Sequence, residues 1–146
     1  MMSSSAPANS PKIHHAAGRF EVKIGAPQAM EVPPGAAPMF RRSLNKQYSG
    51  DLAGSALGEM QMSGQPQVGE AAYTAIESFI GALQGRSGSF ALAHLGLMSG
   101  GQQDLRITIV PGSGSGELAG ISGELALRIE AGVHFYELHY QFKPKT

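Results

Sequence analysis

The segment GALQGRSGSFALAH (residues 81–94) combines a glycine-rich turn, an alternating apolar run and a terminal histidine. A phosphate-binding P-loop needs a lysine after its glycines and a helix behind it, and a dinucleotide fingerprint needs a βαβ unit. Here no lysine follows the glycines, and the segment continues as strand-like alternation. The pattern therefore predicts a β-hairpin in which glycine supplies the positive φ angles of the turn.

The same pattern recurs along the chain. GDLAGSALGEM from residue 50 and GELAGISGEL from residue 116 share the sequence G-x-L-x-G with the segment that starts at residue 81. An alternating run precedes each of them, and a further hairpin turns at Ala131-Gly132. The repeat is therefore interpreted as strand, glycine-rich turn, strand.

Counting these strands gives eight: RFEVKI (19–24), pairs around residues 50, 85 and 120, and a last strand from residue 133. EAAYTAIESFIGAL (70–83) could be drawn as a helix, but its β-branched and aromatic residues favour a strand. Consecutive antiparallel strands with little helix to cover an edge most simply close on themselves. We expect an all-β protein, an eight-stranded antiparallel meander β-barrel.

The barrel is expected to occupy residues 18–143 as a single domain. Residues 1–17 are rich in Ser, Ala and Pro and predict a disordered N-terminal arm. Residues 25–40 form a long Pro/Ala-rich stretch without periodicity, which predicts a mobile loop over one end of the barrel.

The composition excludes several classes of protein. Eleven basic and eleven acidic residues give a formal net charge of zero, so no nucleic-acid or anionic-membrane partner is expected. The chain has no cysteine, which excludes disulfides and thiolate metal sites. It also has no apolar stretch of membrane-spanning length and no apolar signal core in MMSSSAPANSPK, so a cytoplasmic location is expected.

Two residues with acid–base chemistry share one face of the hairpin. A two-residue turn at Gly85-Arg86 sets Glu77 directly opposite His94, on a mostly apolar face that is the expected interior. A carboxylate beside an imidazole in an apolar interior suits general acid–base catalysis, which makes both residues candidate catalytic groups. The alternative is a hydrogen-bonded polar pair with a structural role.

The other interior positions predict either the wall of a small cavity or a filled core. Eight strands enclose room for side chains alone or for one small ligand, so both interpretations stay open. Met60, Met62 and Met98 fit a soft core filler better than a binding surface. The candidate ligand-binding residues are Tyr73, Phe79, Phe90, His134, Tyr136 and Tyr140.

No cofactor and no metal site are predicted. His14 and His15 are adjacent, but neighbouring side chains diverge and no third ligand is near them in the sequence. Glu77, His94 and His134 do not have the spacing of a defined metal motif.

Three blocks resemble the bacterial domain-of-unknown-function family 3224: YTAIESFIGALQGRSGSFALAHLG (73–96), VPGSGSGELAGISG (110–123) and HFYELHY (134–140). The resemblance implies a barrel of the allene-oxide-cyclase type, lipocalin-like in architecture, and no activity, because the family is uncharacterised. Members usually carry a tryptophan and acidic residues after the first strand, whereas this chain has no tryptophan. Related barrels include cofactor-free cyclases and dirigent-type proteins that orient a reactive substrate.

Three functions follow as hypotheses. The first is binding of a small apolar ligand in the barrel interior. The second is a cofactor-free isomerase or cyclase that uses Glu77 and His94, together with Tyr136, around an apolar substrate. The third is a structural or oligomerising module with a filled core, for which a homo-oligomer is one expectation.

Overall fold

The computed structural model describes residues 12–144, which form antiparallel strands joined mostly by short turns, with one long segment between residues 25 and 38. These residues contain no α-helix, and so no helix long and apolar enough to cross a membrane. A single 3₁₀ turn (Pro66–Val68) precedes the fifth strand. The strands are β1 (His14–Ile24), β2 (Gln28–Ala29), β3 (Met39–Gly50), β4 (Leu52–Gln65), β5 (Glu70–Leu83), β6 (Arg86–Ser99), β7 (Gln102–Ile109), β8 (Ser115–Gly116), β9 (Ile121–Glu130) and β10 (Val133–Phe142).

The eight long strands close into a barrel. Each pairs with the next along the chain, and β1 pairs with both β3 and β10. Phe20 of β1 accordingly lies between Tyr48 of β3 and His134 of β10. Closure pairs every long strand on both sides, although β7 and β9 share a single bridge pair, Thr108 with Glu124. The predicted eight-stranded meander barrel is confirmed, and β2 and β8 are two short additional strands.

The first strand begins earlier than predicted. His14–Ala17, assigned from composition to the disordered arm, pair with β10, and Ala16 is completely buried. This stretch is ordered by its partners on β10, which lie more than 100 residues away in the sequence. Local composition therefore predicted the wrong start for β1. The remainder of the predicted arm, residues 1–11, lies outside the described residues.

The long Pro/Ala-rich segment lies at one end of the barrel. Within it β2 pairs with Phe40 and Arg41 at the start of β3. A backbone hydrogen bond from Met30 to Met39 (2.9 Å) also ties the segment to that strand. We call this end, where the β4–β5, β6–β7 and β9–β10 connections also lie, the open end, and the opposite one the closed end.

The β5–β6 turn differs from the prediction by one position. It lies at Gln84-Gly85, with positive φ at both residues (47° and 88°), like Ala131-Gly132 in the last hairpin (51° and 79°). Such turns strongly favour glycine as the second residue, which Gly85-Arg86 would not provide. Moving the turn by one residue shifts the pairing by two, so every side chain stays on its predicted face.

The three G-x-L-x-G repeats meet at the closed end. The β3–β4 turn lies at Gly50, the first glycine of the first repeat, whereas the β5–β6 turn lies at Gly85, the last glycine of the second repeat. The turns of the repeats are therefore not equivalent. Their leucines, Leu52, Leu83 and Leu118, are nevertheless all fully buried in one cluster, and Leu52 lies opposite Leu83. The repeated leucine therefore fills the closed end of the barrel.

Candidate functional site

A network of four polar side chains lies inside the barrel, about halfway along it. Lys46 and Tyr48 of β3 both reach Glu77 of β5, the lysine Nζ donating to Oε2 at 2.8 Å and the tyrosine hydroxyl donating to Oε1 at 2.5 Å. His94 of β6 contacts the same carboxylate, with Nε2 at 2.7 Å from Oε2. Glu77 is 0% exposed, Lys46 3% and His94 6%. The four groups satisfy one another where water has little access.

The predicted Glu77–His94 contact exists, although the two residues are not directly opposite. Ala75 is the cross-strand partner of His94, and Leu92 is that of Glu77. The contact runs diagonally, which long side chains on one face of a sheet can span.

The carboxylate of Glu77 remains ionised despite its burial. Burial alone would raise its pKa, but hydrogen bonds from His94, Lys46 and Tyr48, with the positive charge of Lys46, lower the pKa to about 2. Burial and the neighbouring Glu77 charge raise the pKa of the Tyr48 hydroxyl, so it stays protonated and donates. The network thus holds a buried carboxylate–ammonium pair with an imidazole attached to it.

Tyr73 connects this network to the open end. Its hydroxyl lies 3.2 Å from Nδ1 of His94, the ring nitrogen that does not face Glu77. Its ring lies against the backbone of Gly96, where an added Cβ would come within 2.3 Å of the ring. Burial raises the pKa of Tyr73, so its hydroxyl stays protonated at neutral pH.

A cavity of about 560 Å³ occupies the open end of the barrel. Inward-facing side chains of five strands form most of its wall, and Pro27 and Pro38 of the long loop stand at its mouth. Tyr73 lines the cavity, whereas Glu77 and His94 lie beneath its lining. The larger apolar side chains of the lining are Phe40, Met60, Met62, Tyr73, Leu97, Met98 and Leu105, and its polar residues include Gln65, Gln67, Gln103 and Asp104.

The closed half of the barrel is filled. Phe79 (0% exposed) and Phe90 (1%) pack in the core with ring centroids 5.2 Å apart. The hydroxyl of Tyr136 accepts from the backbone N–H of Leu52 (2.8 Å) and donates to the carbonyl of Ser49 (3.0 Å). These bonds fix the β3–β4 turn and keep the Tyr136 hydroxyl out of the network, although its ring packs edge-on against that of Tyr48, with centroids 5.6 Å apart.

The two remaining predicted ligand-binding residues, Tyr140 and His134, also lie outside the cavity lining. Tyr140 is buried at the closed end, where its hydroxyl donates to the side chain of Gln84. His134 packs against Phe20 in a tilted arrangement, with ring centroids 5.1 Å apart. Of the six predicted ligand-binding residues, Tyr73 alone lines the cavity.

Sequence reasoning missed two kinds of site residue. Lys46 and Tyr48 follow Leu44 at intervals of two in RSLNKQYS, so all three share one face of the strand. This spacing could have placed both polar residues inside the barrel, but a lysine is normally expected on the outer surface. Met60, Met62 and Met98 were interpreted as core filler, and they line the cavity. Flexible thioethers suit both roles, and no sequence pattern separates them.

The comparisons with known proteins agree with the barrel fold. The model of a family described as "Protein of unknown function (DUF3224)" matches residues 16–140. Among solved structures, the chain is similar to a protein with unknown function from the DUF3224 family of Shewanella oneidensis MR-1, at a TM-score of 0.83 and 38% identity. The alignment covers 91% of this chain and 100% of that one. The comparison with curated proteins finds no match.

Proposed function

Since the chain belongs to the DUF3224 family, whose description gives no function, we propose from its own geometry that it binds a small apolar molecule in the cavity at the open end. The observation that carries this proposal is the contrast between the two halves of one barrel. The closed half is packed, while the open half holds about 560 Å³ within a wall of methionine, aromatic and leucine side chains. Ligand sites are typically 300–1,000 Å³ and mostly apolar, with few polar groups.

The position of Tyr73 indicates what else the ligand carries. The tyrosine hydroxyl stands at the inner end of a mostly apolar wall and is hydrogen-bonded to His94. A ligand with one hydrogen-bonding group, such as a carbonyl or hydroxyl, can place that group at Tyr73 and its apolar part among the methionines. A fully charged ligand would have to be desolvated against this wall, which disfavours it.

Binding can be measured with N-phenyl-1-naphthylamine, an uncharged probe whose fluorescence rises in apolar surroundings. We expect saturable binding to the wild-type protein and at least tenfold weaker binding to Met62→Lys, which sets a charge on the cavity wall. The matched control is Gln61→Lys, the adjacent exposed position on the outer face of β4, which should leave binding unchanged.

Two results would overturn this proposal. One is the absence of saturable binding to the folded wild-type protein, and the other is an equal loss in both lysine variants. Native mass spectrometry of the purified protein adds an independent measurement, because a retained ligand appears as a discrete mass increase that Met62→Lys lacks.

We propose proton transfer as a second candidate function, because a hydrogen-bonded chain runs from the cavity through Tyr73 and His94 to Glu77. In this reaction the Tyr73 oxygen takes a proton from a carbon next to a ligand carbonyl, while its own proton passes to Nδ1 of His94. The Glu77 carboxylate stabilises the imidazolium, and reversal returns a proton to the same or a conjugated carbon. The step is an isomerisation and needs no oxidant or reductant.

Deuterium incorporation tests this second function without knowledge of the natural substrate. In D₂O, apolar ketones that displace the naphthylamine probe should gain deuterium faster with wild-type protein than with Tyr73→Phe or His94→Gln, while all three bind the probe. Exchange at the buffer rate for every displacing ketone would leave binding as the sole function. Tyr136→Phe should not alter exchange, since its hydroxyl serves the β3–β4 turn.

A further inference from the structure

Closure of the barrel brings three metal-ligating side chains together on its outer wall. His15 of β1 lies directly opposite His139 of β10, and Glu137 precedes His139 by two residues on the same outward face. One ligand atom from each residue lies within 4.8 Å of those of the other two, and Nε2 of His15 is 3.0 Å from Oε1 of Glu137. The three side chains therefore converge on one point of the surface.

We propose that His15, Glu137 and His139 bind one divalent transition-metal ion, with water in the remaining coordination positions. Two imidazole nitrogens and a carboxylate oxygen form a donor set suited to Zn²⁺ and its neighbours rather than to Ca²⁺ or Mg²⁺. Ligands around a tetrahedral zinc ion lie ~3.4 Å apart, because each is ~2.1 Å from the metal. Small rotations of exposed side chains are enough to bring the three donors to this spacing.

The scaffold favours such a site. The two histidines are held opposite each other by the β1–β10 ladder, so the backbone does not have to be ordered when metal binds. Arg128 competes only weakly with a metal ion for the Glu137 carboxylate. Its Nη1 is 3.9 Å from Glu137, and its Nε is hydrogen-bonded to Glu130. Both His15 and Glu137 have side chains about half exposed, which lets a hydrated ion approach.

This site is independent of the cavity. Its residues face the solvent side of the barrel wall, whereas the ligand site proposed above faces the interior. The fold also explains why local spacing along the chain does not predict this metal site. His14 and His15 do diverge, with His14 stacked on Tyr140, but the missing ligands come from the other end of the chain.

The experiment is calorimetric titration of the full-length, chelator-treated protein with Zn²⁺, alongside Co²⁺ titration followed by visible absorbance. We expect one ion per chain and a cobalt spectrum typical of mixed nitrogen and oxygen ligands. His15→Gln and His139→Gln should each weaken binding at least ~10-fold, because loss of even an outer partner of a metal ligand has that effect. The neighbouring His14→Gln should leave the affinity unchanged.

The variants alter exposed side chains of the site, so they should fold as the wild type does, and circular dichroism checks this. Thermal stability gives a second measurement, because an ion that binds the folded state raises the melting temperature. Zn²⁺ should raise it in the wild type and in His14→Gln, and not in a His15→Gln/His139→Gln double variant. Equal zinc affinity in the wild type and the double variant would overturn the proposal.

Discussion

Glu77 is a buried carboxylate that three polar neighbours keep ionised. It accepts from Lys46 and Tyr48 and contacts His94, and none of these four side chains lies on the outer surface. Removing one charge from a buried ion pair leaves the other uncompensated, which is far more costly than removing both. The network is therefore a single energetic unit.

This unit predicts an acid-sensitive stability. The pKa of Glu77 falls from 4.5 to about 2 on folding, so the carboxylate stabilises the fold above about pH 4.5, and this is lost as the pH falls towards 2. The contribution is ~3 kcal/mol. Urea denaturation across this pH range should show a steeper loss for the wild type than for Glu77→Gln.

At pH 7, the difference in unfolding free energy between the wild type and Glu77→Gln separates the contribution of the carboxylate charge from that of its hydrogen bonds. Glu77→Gln should lower the free energy of unfolding by about 3 kcal/mol, because the buried Lys46 loses its ion-pair partner. Lys46→Met in that background should recover much of the loss. If the double variant is as unstable as the two single effects added together, the pair is not coupled.

At the level of the strands, a row of opposed glycines crosses the sheet near the closed end. Gly54 of β4 faces Gly81 of β5, which faces Gly88 of β6, which faces Gly116 of β8. A Cβ on Gly81 would lie 2.2 Å from the carbonyl oxygen of Ala53, and one on Gly88 would lie 2.1 Å from that of Ser115. The row lets the strands coil sharply enough to close a small barrel.

Gly81→Ala should therefore lower the free energy of unfolding by about 2–3 kcal/mol, as overpacking against backbone does. The control is Gly101→Ala in the β6–β7 turn, where no atom lies within 4 Å of the added Cβ and the positive φ is the sole penalty. That change should cost about 1 kcal/mol. Equal losses in urea denaturation would show that the row does not limit strand approach.

The molecule as a whole is an asymmetric barrel, filled at one end and hollow at the other. Leu52, Leu83 and Leu118 close the filled end, while Met60 and Met62 stand around the cavity. Truncating a packed side chain creates a new void, whereas truncating a cavity wall enlarges an existing one. The two ends should respond differently to the same kind of substitution.

Leu83→Ala should lower the free energy of unfolding by about 3 kcal/mol, and Met62→Ala by about 1 kcal/mol or less. Urea denaturation of the two variants at neutral pH measures both values. Comparable losses would mean that the open end collapses onto Met62 in solution and that the cavity does not persist.

The sequence alone determined the eight long strands, their order and the faces of the residues in the β5–β6 and β9–β10 hairpins. Period-two alternation and glycine turns depend on residues that are close in the sequence, so they can be recognised from the sequence alone. They correctly predicted that Glu77 and His94 both face the interior. The exact turn at Gln84-Gly85 was missed, but an error of two in register preserves the faces.

Only the tertiary structure decided which interior positions are packed and which are empty. Phe79 and Met62 both point inward from adjacent strands, yet one lies in the core and the other lines the cavity. The difference depends on what enters from other strands and connections at each level of the barrel, a long-range property that no local pattern encodes. The same holds for Lys46, whose burial requires Glu77 across the barrel, and for His15, which meets His139 because the barrel closes.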